Sequence, residues 1–144
     1  GGGYLPPPSV APAMHELVDA ARDALESAYV PYSDYAVGAA LKTADGTVYT
    51  GCNIENANYS NSLHAEEVAV GKAVSAGHHT FDELAVSAAA RDGVTPCGMC
   101  RQTLAEFCGA DFPIHCDEPE GVTTYRLGEL LPETITAENL GVER

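Results

Sequence analysis

Segments of helical spacing alternate with short apolar runs along the whole chain, and this alternation confines it to one β-sheet covered by helices. Leu17, Ala20, Ala21, Ala24, Leu25 and Ala28 recur at helical spacing. The helix they predict ends before Pro31, because a residue preceding proline is pushed out of the helical region. Ala36 to Thr43 reads as a strand, Asp45-Gly46 as a tight hairpin turn, and Thr47 to Asn53 as the return strand. A loop rich in asparagine and serine follows, from Asn56 to Ser62. Helical spacing resumes near His64, with Val68, Ala69 and Val74 inward and Gly77 as the stop. Glu83 to Ala90 reads as a buried strand, and Pro96 opens a helix carrying Cys97, Cys100, Leu104 and Phe107. Pro113 to Cys116 and Val122 to Leu127 read as two more strands, followed by short helical pieces at Glu129–Leu131 and Ala137–Leu140. The class is α/β, and 144 residues suffice for one domain. That domain is expected over residues 14–144. Residues 1–13 are rich in glycine and proline without periodicity, and read as a flexible tail or cloning remnant ahead of Met14.

Charge narrows the partners. The chain carries 21 Asp plus Glu against 7 Lys plus Arg, a formal net charge of -14. Such a surface repels phosphate backbones, so nucleic acid is not the expected partner. So large an acidic excess, with Lys42 and Lys72 the only lysines, reads as adaptation to high salt. No apolar run reaches the length of about 18 residues that a membrane helix needs, and no basic segment leads into an apolar leader. Cysteine is present five times, an odd number, so a disulfide framework is not expected. A reducing cytoplasm, with some of the cysteines on a metal, is the expected setting.

Two segments carry chemistry: His64-Ala65-Glu66, and Pro96-Cys97-Gly98-Met99-Cys100. Each alone is ambiguous. A Cys-x-x-Cys at a helix start can be a redox pair, and a lone histidine can simply cap a helix. Together they offer one imidazole and two thiolates, favoured zinc ligands that leave a fourth position open for water. Helix N-termini add positive potential, which favours thiolates. Glu66 follows His64 by two residues, so it leans over the open position instead of sharing the ligand direction. A structural zinc site would want a fourth ligand, and no further Cys or His stands at ligand spacing. Cys52, Cys108 and Cys116 read as small core residues, and His15, His78, His79 and His115 as surface or satisfied core residues. Tyr32 and Tyr35 could be plain core aromatics, and Glu55 a solvated carboxylate.

The His-x-Glu and Pro-Cys-x-x-Cys pair resembles the zinc deaminases. The likeness extends through Val30-Pro31-Tyr32-Ser33-Asp34-Tyr35, Val37-Gly38-Ala39-Ala40-Leu41, Asn53-Ile54-Glu55-Asn56-Ala57, Arg101-Gln102 and Leu130-Leu131-Pro132. These are similar to segments of the small homotetrameric cytidine deaminases, from about Met14 to Leu140. The resemblance implies a three-layer α-β-α sandwich with a mixed five-stranded sheet, one zinc per subunit on His64, Cys97 and Cys100, and a homotetramer. It implies hydrolytic deamination of cytidine and deoxycytidine in pyrimidine salvage, with Glu66 delivering a proton from water to ring N3 and then protonating the departing amino group. Asn53 and Glu55 would bind the ribose hydroxyls, Tyr35 would pack near the pyrimidine, and Tyr59 would lie at a subunit boundary. Backbone groups near Ala65 and Thr95 would hold the exocyclic amine. The alternatives are a deaminase of another small aminopyrimidine, aminopurine or nucleoside antibiotic, and a zinc-stabilised module without catalysis.

Two positions depart from the family pattern. The tetrameric members usually have cysteine in place of His64 and arginine in place of Glu67. Three thiolates on zinc leave a charge near -1, which an arginine offsets, whereas one imidazole and two thiolates bring the site near zero. The two changes are therefore one coupled change. Ile135 stands where the family commonly has a phenylalanine reaching a neighbouring subunit's site, so it offers apolar cover without a stacking face.

Overall fold

The computed structural model describes residues 10–90 and 93–143. Its main elements are α1 (Val10–Leu25), β1 (Val37–Thr43), β2 (Val48–Cys52), α2 (Ala65–Ser75), β3 (Phe81–Ala88), α3 (Gly98–Phe107), β4 (Pro113–Glu118), β5 (Gly121–Arg126) and α4 (Leu127–Leu130). Single 3-10 turns lie at Tyr59–Asn61 and Ala137–Leu140. The five strands form one sheet in the order β2-β1-β3-β4-β5. Only β3 and β4 pair in parallel, the other three pairings being antiparallel, so the sheet is mixed as expected. The β1–β2 hairpin turns where Asp45-Gly46 predicts it. Gly46 takes φ 91°, and the Asp45 carboxylate accepts the Thr43 hydroxyl at 2.5 Å and the Thr47 N–H at 3.1 Å.

Strand alternation sorts the core into two layers. Ala39, Leu41, Leu84, Val86, Ile114 and Cys116 face α2 and α3, which contribute Ala65, Ala69, Ala73 and Leu104. Ala40 and Ala85 face α1, which contributes Leu17, Val18 and Ala21. The arrangement is the three-layer α-β-α sandwich. Two glycines allow the helices to sit directly on the sheet. A β-carbon on Gly38 would lie 2.1 Å from the Ala21 carbonyl oxygen of α1, and one on Gly51 would lie 2.3 Å from the Ala65 carbonyl oxygen of α2.

The face under α1 is partly polar. Arg22 donates from Nε and Nη2 to the fully buried Asp117, each at 2.8 Å, and the Ser87 hydroxyl donates to the same carboxylate at 2.8 Å. Buried His115 lies between Glu83 Oε1 at 2.7 Å and Thr124 Oγ1 at 2.8 Å, so it is a satisfied core histidine.

Some boundaries differ from the sequence reading. Helix α1 starts at Val10, so the boundary expected at residue 13 falls inside it. Pro12 lies in the first turn, where the backbone N–H has no helical acceptor and a proline costs nothing. The rest of the expected tail, residues 1–9, lies outside the described residues. Strand β3 begins two residues early, at Phe81, because an irregularity between Lys42 and Thr43 lets Phe81 pair with Thr43. Helix α3 begins at Gly98, with Cys97 as its N-cap. Among the described residues no helix is long and apolar enough to cross a membrane.

Gly38→Ala and Gly51→Ala are each expected to destabilise the fold by about 2 kcal/mol in denaturant titration, the scale of overpacking. Only Gly51→Ala should also displace the N-terminus of α2, read as chemical-shift changes at His64 and Glu66.

Candidate metal and catalytic site

The N-termini of α2 and α3 converge on one face of the sheet. His64 is the N-cap of α2 in extended conformation, and its backbone N–H donates to the Glu67 carboxylate at 2.6 Å. Cys97 is the N-cap of α3, and Cys100 lies buried in the first turn of that helix. His64 Nδ1 lies 3.1 Å from Cys97 Sγ and 3.3 Å from Cys100 Sγ. The three ligand atoms all fall within 4.8 Å of one another, the only such group among the described residues. A tetrahedral zinc with nitrogen at about 2.0 Å and sulfur at about 2.3 Å requires a nitrogen–sulfur edge of about 3.5 Å. The donor types and their spacing therefore fit zinc, one per subunit, and the group stops at three. Burial, with Glu66 and Cys97 close by, pushes the Cys100 thiol up. A metal held there would displace that proton.

Glu66 is only 5% exposed, and burial pushes its carboxyl up. Its own backbone N–H, His64 and the Cys100 thiol oppose that shift. It lines a cavity of about 210 Å³ with Val37, Asn53, Ala65, Thr95 and Cys97. Arg101 braces the far wall: its guanidinium donates to the Pro96 carbonyl at 2.7 Å, the Leu130 carbonyl at 2.8 Å and the Thr95 hydroxyl at 3.2 Å.

A larger cavity of about 590 Å³ adjoins the first and shares Asn53 and His64 with it. Tyr35, Glu55 and Tyr59 line this second space, together with Tyr32 and Ser33. The Asn53 amide accepts the Val37 N–H at 2.9 Å and donates to the Tyr35 carbonyl at 2.8 Å. The Glu55 carboxylate accepts the N–H groups of Tyr32 and Ser33 and the Ser33 hydroxyl. These bonds, the Ser33 hydroxyl foremost, hold the Glu55 carboxyl below its ordinary range. Tyr32 is 51% exposed, so it is a rim residue and not a core aromatic, and it meets the exposed Tyr59 edge-on with ring centres 5.8 Å apart. Among the described residues no lysine or arginine lines either cavity.

Nine of the ten expected site residues line the two adjoining cavities: His64, Cys97, Glu66, Ala65 and Thr95 at the metal end, Asn53 between, and Tyr35, Glu55 and Tyr59 beyond. The tenth, Cys100, is buried behind them with its sulfur against His64. Ile135 lines neither cavity; it is exposed, and its carbonyl accepts the Gln102 side-chain amide at 3.0 Å. Cys108 and Cys116 are pushed up to about 12 by burial, as thiols with no part in the site. Sequence reasoning gave no role to Ser33 or Arg101, although both stand in the motifs that carry the resemblance. It explained Glu67 by charge alone, where the His64-x-x-Glu67 spacing is also that of a capping box.

Comparison with known proteins agrees with this geometry. The family described as "Cytidine and deoxycytidylate deaminase zinc-binding region" matches residues 12–116. A cytidine deaminase of Sporosarcina psychrophila is 44% identical over 128 residues, covering 88% of this chain and 94% of that protein. One from Halalkalibacterium halodurans is 44% identical over 125 residues, 86% of this chain and 95% of that protein. The crystal structure of cytidine deaminase from Burkholderia pseudomallei superposes with a TM-score of 0.79 at 39% identity, over 84% of this chain and 98% of that one. The match spans the same helices and strands that assemble the three-donor group and the buried carboxyl, and the chain belongs to the cytidine and deoxycytidylate deaminase family.

Proposed function

We propose that this protein hydrolyses the exocyclic amine of free cytidine and 2′-deoxycytidine, releasing ammonia, as a zinc-dependent cytidine deaminase of pyrimidine salvage. The observation that carries the reading is the buried Glu66 carboxyl beside a nitrogen–sulfur–sulfur donor group that stops at three. Zinc, when bound, supplies Lewis acidity that brings the pKa of water toward neutrality. Glu66 is the proton carrier: it takes one proton from water and passes it to ring N3, then takes the second proton from the same oxygen, now on C4, and gives it to the amino group as that group leaves. Burial, which pushes its carboxyl up, is the environment of a group that both accepts and returns a proton. Backbone groups at Ala65 and Thr95 hold the amine, Tyr35 packs against the pyrimidine, and Asn53 and Glu55 take the ribose hydroxyls. The absence of lysine and arginine from both cavities, among the described residues, favours a nucleoside over a nucleotide. The working assembly is a homotetramer in the cytoplasm, with Tyr59 and Ile135 directed toward neighbouring subunits and an acidic surface adapted to salt.

The test is metal analysis of the purified protein with an ammonia-release assay. One zinc per chain is expected, with ammonia from cytidine and deoxycytidine and none from cytidine monophosphate. Full zinc occupancy without ammonia release from either nucleoside would overturn the cytidine reading in favour of a deaminase of another small amine-bearing base or a non-catalytic zinc module.

Glu67 supports the site in two ways, by acceptor and by charge. Glu67→Gln keeps a capping acceptor for the His64 N–H and should hold zinc nearly as well as the parent. Glu67→Arg loses the cap, worth about 1 kcal/mol, and adds a positive charge beside a neutral site. It should lose zinc more readily to a chelator, and His64→Cys in the same chain should recover part of that loss. Purely additive effects in this double-mutant cycle would exclude the charge coupling.

A further inference from the structure

Ser33 stands between two walls of the larger cavity. Its hydroxyl donates to Glu55 Oε2 and accepts the N–H of Tyr35 at 3.1 Å, while its own N–H donates to Glu55 Oε1 at 3.0 Å. The Tyr32 N–H donates to that same Oε1 at 2.9 Å. A carboxylate offers about four acceptor sites. The turn therefore fills both sites on Oε1 and one on Oε2, leaving a single site on Oε2 among the described residues. The Ser33 hydroxyl fills the other site on that oxygen and, with the two N–H bonds to Oε1, holds the plane of the carboxylate and so the direction of the open site. The turn itself is held in an uncommon shape: Asp34 takes φ 57°, and its N–H donates to the Val30 carbonyl at 3.0 Å. A non-glycine residue there costs about 1 kcal/mol, which the bonds to Glu55 offset. The Tyr35 carbonyl is meanwhile held by Asn53 at 2.8 Å. One hydroxyl thus couples the placement of the aromatic wall to that of the carboxylate.

We propose that Ser33 is the positioning residue for pentose recognition, aiming the one open acceptor site of Glu55 at a single ribose hydroxyl. The proposal rests on the reading of Glu55 as a ribose contact. It makes the Val30–Tyr35 turn a specificity element and not only a rim. Ser33 does not touch the base or the metal donors, so its effect appears in substrate binding and depends on the hydroxyls of the sugar.

The experiment compares cytidine with 2′,3′-dideoxycytidine in the zinc-loaded protein and in Ser33→Ala, Ser33→Thr and Glu55→Gln. Ser33→Ala should raise KM for cytidine about tenfold, the scale of one hydrogen bond to a charged group, with kcat changed less than twofold. Its kcat/KM for the dideoxy analogue, which lacks the 2′- and 3′-hydroxyls, should fall far less than that for cytidine. Ser33→Thr, which keeps the hydroxyl, should restore KM. If Glu55→Gln discriminates between the two substrates but Ser33→Ala affects both equally or neither, the role of Ser33 is overturned while the ribose reading stands. If Glu55→Gln does not discriminate, the ribose reading fails and the proposal with it.

Discussion

The contact between the first turn of α2 and the sheet at Gly51 governs the rest of the structure. With no side chain there, the Ala65 carbonyl comes to where a β-carbon would be 2.3 Å away. The N-terminus of α2 is thereby pressed against β2 and held beside the start of α3. Two helix N-termini then share one spot, and their partial positive charges favour thiolate over thiol once a metal is held there. His64, Cys97 and Cys100 can meet because each lies at or next to a helix start, where backbone direction is fixed by N-cap geometry. Glu66 is buried by the same contact, since it lies in the turn that Gly51 draws in.

The two faces of the sheet solve different problems. The face toward α2 and α3 is apolar and tight, and it leaves its polar groups at the end where the cavities open. The face toward α1 carries Arg22, Asp117 and Ser87 in one network, and Lys42, Glu83, His115 and Thr124 in another across four adjacent strands. A buried pair such as Arg22–Asp117 adds little net stability, but removing one partner is costly. It fixes how α1 sits on the sheet, and the site on the opposite face is insulated from that polar layer by the apolar core.

The elements and the metal end of the site were legible because they rest on local signals. Asp45-Gly46 marks the hairpin, and Pro96 and the Cys-x-x-Cys spacing mark the start of α3. The early start of α1 was hidden by Pro12, which is a helix breaker in a helix interior but is harmless in a first turn. The capping function of Glu67 was obscured because histidine is not among the usual N-cap residues. The parts of the site that sequence did not reveal depend on contacts distant along the chain. Ser33 acquires meaning only when Glu55, 22 residues away, folds onto it. Arg101 does so only when Leu130, 29 residues away, comes beneath its guanidinium. Strand register likewise decided that His115 is satisfied by Glu83 and Thr124.

The central claim is that metal binding and proton transfer are separate tasks, given to different residues at the starts of two helices. Zinc content and single-turnover ammonia release measured together on Glu66→Gln test it most directly. Here zinc should remain at one per chain with the fold unchanged, while the rate with cytidine falls about 10³-fold or more, the share of a positioned general acid–base. Near-parental turnover by that variant, or loss of zinc along with activity, would contradict the account.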